Sequence, residues 1–169
     1  MTQAPTNDNG KQNYQKWRRR AREWALQVLY QLDVADETLE TETLENFWQR
    51  ALEREVESEE EDNDYAGKKA RAFAERLIRG VLQDRSDIDA KIMVDASNWR
   101  LERMGVVDRN ILRLSTYEIL FSDETPILSA LNEGIELAKQ FGDKDSPRFI
   151  NGILDKLKEN AQEMRKDQK

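Results

Sequence analysis

Apolar residues recur along this chain at helical spacing and nowhere hold the strict alternation of a strand. Trp17, Ala21, Trp24, Ala25, Val28 and Leu32 fall on the i, i+4, i+7, i+8 template of one buried stripe. Residues 37–57 predict a second, weaker helix carrying Leu44, Phe47, Trp48 and Leu52, and a third is marked by Ala70, Phe73, Ala74, Leu77 and Val81, with Gly80 near its end. Ser86 and Asp89 form a capping-box-like start for a fourth helix, which buries Ile88, Ile92 and Ala96 and is expected to end near Trp99. A fifth starts near Asp108 and runs through Ile111, Leu112, Leu114, Ser115 and Ile119. It must stop before Pro126, because the residue preceding a proline is pushed out of the helical region. The sixth carries Leu131, Ile135, Ala138 and Phe141, and Gly142 is expected to end it in the left-handed conformation. The last opens on Ser146 as cap and Pro147 at the first helical position, then buries Phe149 or Ile150 followed by Ile153, Leu154 and Leu157.

Seven helices with short connections and no strand pattern predict an all-α bundle. Seven glycines and three prolines in 169 residues also argue against a turn-rich all-β fold. Residues 1–13 read as a disordered leader and 161–169 as a polar tail. Between them, 14–160 reads as one helical domain with subdomains 14–84 and 85–160. No apolar run reaches the roughly 18 residues that a membrane span needs. The N-terminal stretch lacks the apolar centre of a secretory signal, so a cytoplasmic protein without a membrane partner is the expectation.

The residue inventory narrows the chemistry. The chain has no cysteine and no histidine, which removes thiol nucleophiles, thiolate metal sites, the commonest general base and the commonest metal ligand. A glutamate-rich helical bundle invites a di-iron carboxylate site, but that site needs Glu-x-x-His on two helices. No phosphate-binding or dinucleotide glycine fingerprint exists among the glycines. No catalytic residue, metal site or cofactor is therefore expected, and a binding protein remains.

A net charge of −7 argues at first against nucleic acid as a partner, but the distribution of charge reverses that reading. Residues 11–22 hold Lys11, Lys16, Arg18, Arg19, Arg20 and Arg22 with no acid. Residues 53–64 hold eight acids against Arg54 and account numerically for the whole net charge. Four arginines in five positions present forked donors suited to phosphate oxygens, with Trp17 beside them either to stack on a base or to staple the helix start. A solvated helix terminus is the alternative, although cations near a helix N-terminus oppose its dipole. The acidic run reads as a solvated inter-helix loop, or less readily as a nucleic-acid mimic shielding the basic pole.

Four blocks carry a family resemblance: RRRAREWALQVLYQLD at 18–33, FAERLIRGVL at 73–82, VDRNILRLSTYEIL at 107–120 and LNEGIELAKQFGDKDSPRFINGILDK at 131–156. Together they resemble the NusB transcription antitermination family over residues 17–158, and the last block is the most specific. The resemblance implies a seven-helix NusB-like bundle made of two packed helical subdomains. It implies binding of single-stranded boxA-type RNA in ribosomal RNA transcripts jointly with NusE, a small-subunit ribosomal protein. It further implies assembly with RNA polymerase and other Nus factors to suppress premature termination.

The family's arginine-rich RNA segment corresponds to Arg18, Arg19, Arg20 and Arg22, and its second RNA element to Asp145, Ser146, Arg148 and Phe149. A helix start offers free N–H groups to a phosphate, Ser146 would add a hydroxyl, and Phe149, if exposed rather than in the core, a stacking ring. The NusE-binding face corresponds to Tyr30, Glu102 and Asp108, although Tyr30 could equally be a core-edge tyrosine. Gly134 stands where the family usually has alanine, and Leu128 where a basic residue often follows the proline. NusB-like domains also front ribosomal RNA cytosine methyltransferases, but this chain lacks the cysteine that such catalysis requires.

Overall fold

The computed structural model describes residues 8–56, 64–97 and 99–167. Seven α-helices follow in order: α1 Asp8–Ala35, α2 Thr41–Val56, α3 Asp64–Gln83, α4 Arg85–Asp95, α5 Val106–Thr116, α6 Ile127–Phe141 and α7 Ser146–Asp167. A 3-10 turn, Leu101–Arg103, precedes α5, and a π-helical turn, Tyr117–Phe121, follows it. No strand occurs among the described residues.

Helix α5 forms the axis. Every side chain from Asn110 to Thr116 is buried, because α1 covers one side while α4, α6 and α7 cover the others. Burial all round suits apolar or paired groups: Ile111, Leu112 and Leu114 are apolar and Asn110 and Arg113 are hydrogen-bonded, while the Thr116 hydroxyl is buried without a hydrogen-bond partner. The third helix packs along α1 through Ala70, Phe73, Ala74 and Leu77, as its spacing predicts. Helix α2 docks through Trp48, whose ring meets Trp24 edge-on at 5.2 Å and whose Nε1–H donates to Glu75 at 2.8 Å.

Two buried polar clamps join α1 to the α5 region. At one end Arg22 donates twice to Glu118, both at 2.9 Å, and the Thr125 hydroxyl donates to the same carboxylate at 2.9 Å. At the other end Asp33 accepts from Arg109 at 2.6 and 2.9 Å, from Asn110 at 2.8 Å and from Arg113 at 3.1 Å. Arg113 also holds Asp89 of α4 with two bonds, at 2.8 and 3.1 Å. Burial pushes the Asp33 carboxyl up, but the hydrogen bonds from Arg109 and Asn110 and the charges of both arginines outweigh it and hold it below its usual range.

Two glycines let helices approach closely. A Cβ on Gly80 would lie 2.1 Å from the Tyr117 ring. One on Gly134 would lie 2.4 Å from the Ser115 hydroxyl and 3.1 Å from Leu154 Cδ1, at the contact of α5, α6 and α7. Close packing against Ser115 and Leu154 thus favours glycine at 134 and offsets its helix-propensity cost of about 1 kcal/mol.

Several boundaries differ from expectation, each for a local reason. Helix α1 begins at Asp8, inside the stretch read as a leader, and α7 runs on through the polar tail to Asp167. The acidic stretch lies largely outside the described residues, at 57–63. Helix α4 starts at Arg85, with only Asp84 between it and α3, so Ser86 lies inside the helix and cannot cap it; Asp84 takes the cap position without a side-chain bond, and Asp89 pairs with Arg113. It stops at Asp95, so Trp99 lies beyond it, 56% exposed. Gly142 is extended (φ −88°, ψ −175°), and what selects glycine there is space: a Cβ would lie 2.5 Å from Ser146 Cβ. The left-handed stop occurs instead at Asp36 (φ 53°) after α1, where the Glu37 and Asp36 amides donate to the Leu32 and Asp33 carbonyls in a Schellman pattern.

Candidate nucleic-acid interface

The four arginines of α1 divide by helical phase. Arg18 and Arg22 are four residues apart and share the inward face with Ala21 and Ala25. The Arg22 side chain is only 4% exposed and donates to Glu118 and to the Thr125 hydroxyl, so it is held inside the fold and not on the surface where an RNA contact was expected. Arg18 lies over the Phe73 ring at 4.2 Å and donates to the Glu124 carbonyl and the Thr125 hydroxyl, both at 3.3 Å. Its Nε is buried without a hydrogen-bond partner. Trp17 is half-buried and meets Phe73 edge-on at 6.0 Å, which makes it a staple on the core.

Arg19 and Arg20 point the other way. Arg19 pairs with Glu133 of α6 through two bonds, at 3.1 and 3.0 Å, and stays half-exposed. The Arg20 guanidinium lies 5.3 Å from the Trp24 ring. Both line a groove of about 650 Å³ between α1 and α2, together with Lys16, Arg50, Arg54 and Glu23. Trp24, Phe47 and Ala51 also line it, as do Gln12, Gln15, Gln27 and Gln31. Five cations therefore face one carboxylate. Burial raises the Glu23 pKa, against the lowering effects of a Gln140 hydrogen bond and the Arg19 and Arg20 charges.

The start of α7 forms a separate depression of about 520 Å³ against the end of α4. Asp145 and Arg148 are exposed there, and Phe149 is half-buried, packed on the core and edge-on to Trp99 at 5.6 Å. Ser146 is 2% exposed, and its hydroxyl accepts from the Asp143 amide at 2.8 Å, so it shapes the turn instead of facing solvent. The Ser146 amide donates to the Asp143 carbonyl, the Phe149 amide to the Asp145 carbonyl, and Pro147 has no N–H. The first turn therefore keeps few donors for an anion, and recognition here falls to side chains.

Tyr30 is 41% exposed, Glu102 is exposed and Asp108 is half-buried. The bonds from Arg109 to Asp33 bring the first turn of α5, which holds Asp108, against the C-terminal half of α1, which holds Tyr30; Glu102 lies in the 3-10 turn before α5. No group of three or more acidic, histidine or cysteine side chains suited to a metal occurs among the described residues. None of the helices among them is long and apolar enough to cross a membrane.

A family model described as NusB family matches residues 19–159. The chain belongs to the NusB family. Among its curated relatives, the transcription antitermination protein NusB of Trichlorobacter lovleyi is 43% identical over 140 residues, 83% of this chain and 89% of that protein. Its counterpart in Bacillus licheniformis is 42% identical over 145 residues, 86% and 98% of the two chains. Among solved structures, T. maritima NusB aligns with a TM-score of 0.65 at 37% identity, covering 84% of this chain and 90% of that one. A crystal structure of antitermination factors NusB and NusE in complex with dsRNA aligns at a TM-score of 0.68 and 25% identity, covering 86% and 98%. Membership carries the NusB role, transcription antitermination, and places the chain among regulatory factors, not enzymes.

The sequence alone does not single out Arg50, Arg54 or Trp99 as lining these two depressions. Arg50 and Arg54 sit four apart, flanking Ala51 on the side of α2 that carries Phe47. That spacing is visible in the sequence, but its meaning depends on which helix α2 meets. Trp99 falls in the depression because α4 stops at Asp95, four residues short of the end its apolar spacing predicts.

Proposed function

We propose that this chain is an RNA-binding antitermination factor that holds single-stranded boxA-type RNA of ribosomal RNA transcripts jointly with NusE. Together with other Nus factors it helps RNA polymerase, in the cytoplasm, resist premature termination. The observation that carries this reading is the outward half of the arginine pole, Arg19 and Arg20 on an open groove of five cations and one carboxylate. Arg18 and Arg22 serve it indirectly by anchoring α1 to the core. At the start of α7, Arg148 supplies charge, Asp145 an acceptor for base edges and the Phe149–Trp99 pair an aromatic edge. Tyr30, Glu102 and Asp108 form the face read as NusE-binding. The likeness to a solved complex of NusB and NusE with dsRNA supports NusE and RNA as partners.

The test is a titration of labelled boxA RNA against a scrambled RNA of equal length, with and without NusE. The boxA strand should bind more tightly, and NusE should widen the gap. Neutralising four to six phosphates would give a slope of log affinity against log salt of about −3 to −4. Equal affinity for the two RNAs overturns sequence-specific recognition. Capture of NusE with no effect of RNA on the complex would turn the reading toward a protein-interaction module.

A further inference from the structure

We infer that α2 contributes a second wall to the RNA site, with Arg50 and Arg54 gripping the sugar–phosphate backbone of a strand laid in the groove between α1 and α2. This rests on the proposed RNA-binding function and extends it to a helix outside the arginine-rich motif.

The groove is a product of both helices. The apolar stripe of α2 runs Leu44, Phe47, Trp48 and Ala51, and the first three are buried against the core. At the fourth place stands a small alanine, Ala51, which lines the space beside the Trp24–Trp48 ring contact. Arg50 and Arg54 are exposed, one turn apart, and line that space opposite Lys16, Arg19 and Arg20.

Charge selects the occupant. Arg19 is held by Glu133, yet the lining still sets Lys16, Arg20, Arg50 and Arg54 against Glu23, a basic balance that suits a polyanion. Forked guanidinium donors on both walls fit phosphate oxygens. The helix dipole accounts for a cation at Arg54, in the last turn of α2, but not for Arg50 a full turn earlier. The four glutamines along the α1 wall add neutral donors and acceptors within reach of ribose hydroxyls.

The experiment compares the full chain with Arg50→Gln/Arg54→Gln, titrating a labelled 20-nucleotide boxA RNA over a range of salt. On counterion-release scaling, loss of two phosphate contacts should make the salt slope shallower by about 1.4 and weaken binding about 25-fold at 0.1 M salt. Arg50→Lys/Arg54→Lys should keep most of the slope. Arg79→Gln/Arg103→Gln, which removes two exposed arginines outside the groove, should change little. Both arginines of α2 are exposed, so circular dichroism should show every variant folded. Wild-type affinity and slope in Arg50→Gln/Arg54→Gln, or an equal loss in the control pair, overturns the inference. So does displacement of the RNA by poly-glutamate as readily as by unlabelled RNA, which would mark an acidic-peptide groove. If the unaltered chain fails to prefer boxA over scrambled RNA, the functional reading itself fails, and the two failures are thereby distinguished.

Discussion

Replacing Arg22 separates a structural arginine from a binding one. The Arg22 and Glu118 side chains are 4% and 2% exposed, and two 2.9 Å bonds join them between α1 and the π-helical turn. In Arg22→Met the apolar stem volume is largely kept, while the Glu118 carboxylate stays buried with the Thr125 hydroxyl as its remaining strong donor. Breaking a buried pair from one side costs about 3–5 kcal/mol, because the partner charge is left uncompensated. That is a large share of the roughly 5–15 kcal/mol that holds a domain folded. At about 2–4 °C per kcal/mol for a chain of this size, the midpoint of thermal unfolding should fall by about 6–20 °C. Urea unfolding followed by circular dichroism gives the free energy directly. Arg22→Met/Glu118→Leu should recover most of the loss, since no lone charge remains. RNA affinity per folded molecule should stay within about twofold, because the guanidinium never reaches solvent. An Arg22→Met protein of wild-type stability that has lost RNA binding would refute this reasoning.

Three further outcomes follow from the packing and the clamps. Gly134→Ala should destabilise by about 1–3 kcal/mol despite alanine's better helix propensity, since its Cβ would meet the Ser115 hydroxyl at 2.4 Å, and Ser115→Ala in the same chain should restore part of the loss in urea unfolding. The lowered Asp33 pKa contributes stability that is fully present above the unfolded value of about 4 and is lost as pH falls through the folded value; Asp33→Asn should therefore lower stability at neutral pH and flatten the acid limb of a stability–pH profile below about pH 4. Asp36→Gly should raise stability by up to about 1 kcal/mol by removing a side chain from a left-handed position, and an unchanged or lower denaturation midpoint would show that the aspartate makes a compensating contact.

Much of the fold was legible because helices declare themselves by periodicity. The stripes of α1, α3 and α7 bury the residues their spacing names, from Ala21 to Leu157. Helix ends were less legible, since they depend on how one helix leads into the next: only Asp84 separates α4 from α3, which puts Ser86 inside the helix and leaves Asp89 to pair with Arg113, 24 residues away. The site was half legible. Composition placed a basic pole on α1, but a run of arginines carries no mark of which members face inward. That division depends on the carboxylates and rings that α3, the π-helical turn and α6 bring to them, Glu118 and Phe73 for the inner pair and Glu133 for Arg19. The same holds for Ser146, whose hydroxyl is taken by the turn that precedes it.

By itself the sequence determined the helical class, the absence of histidine and cysteine chemistry, the polarisation of charge and the family resemblance, all of which reside in residue identity and spacing along one chain. Only the tertiary structure decided which arginines turn inward and which line a groove, how little room a side chain has at Gly134, and that Arg50 and Arg54 stand across that groove from Arg19 and Arg20. Those properties depend on distances between residues far apart in sequence. Helical periodicity specifies the face a side chain occupies, but packing alone specifies what that face meets.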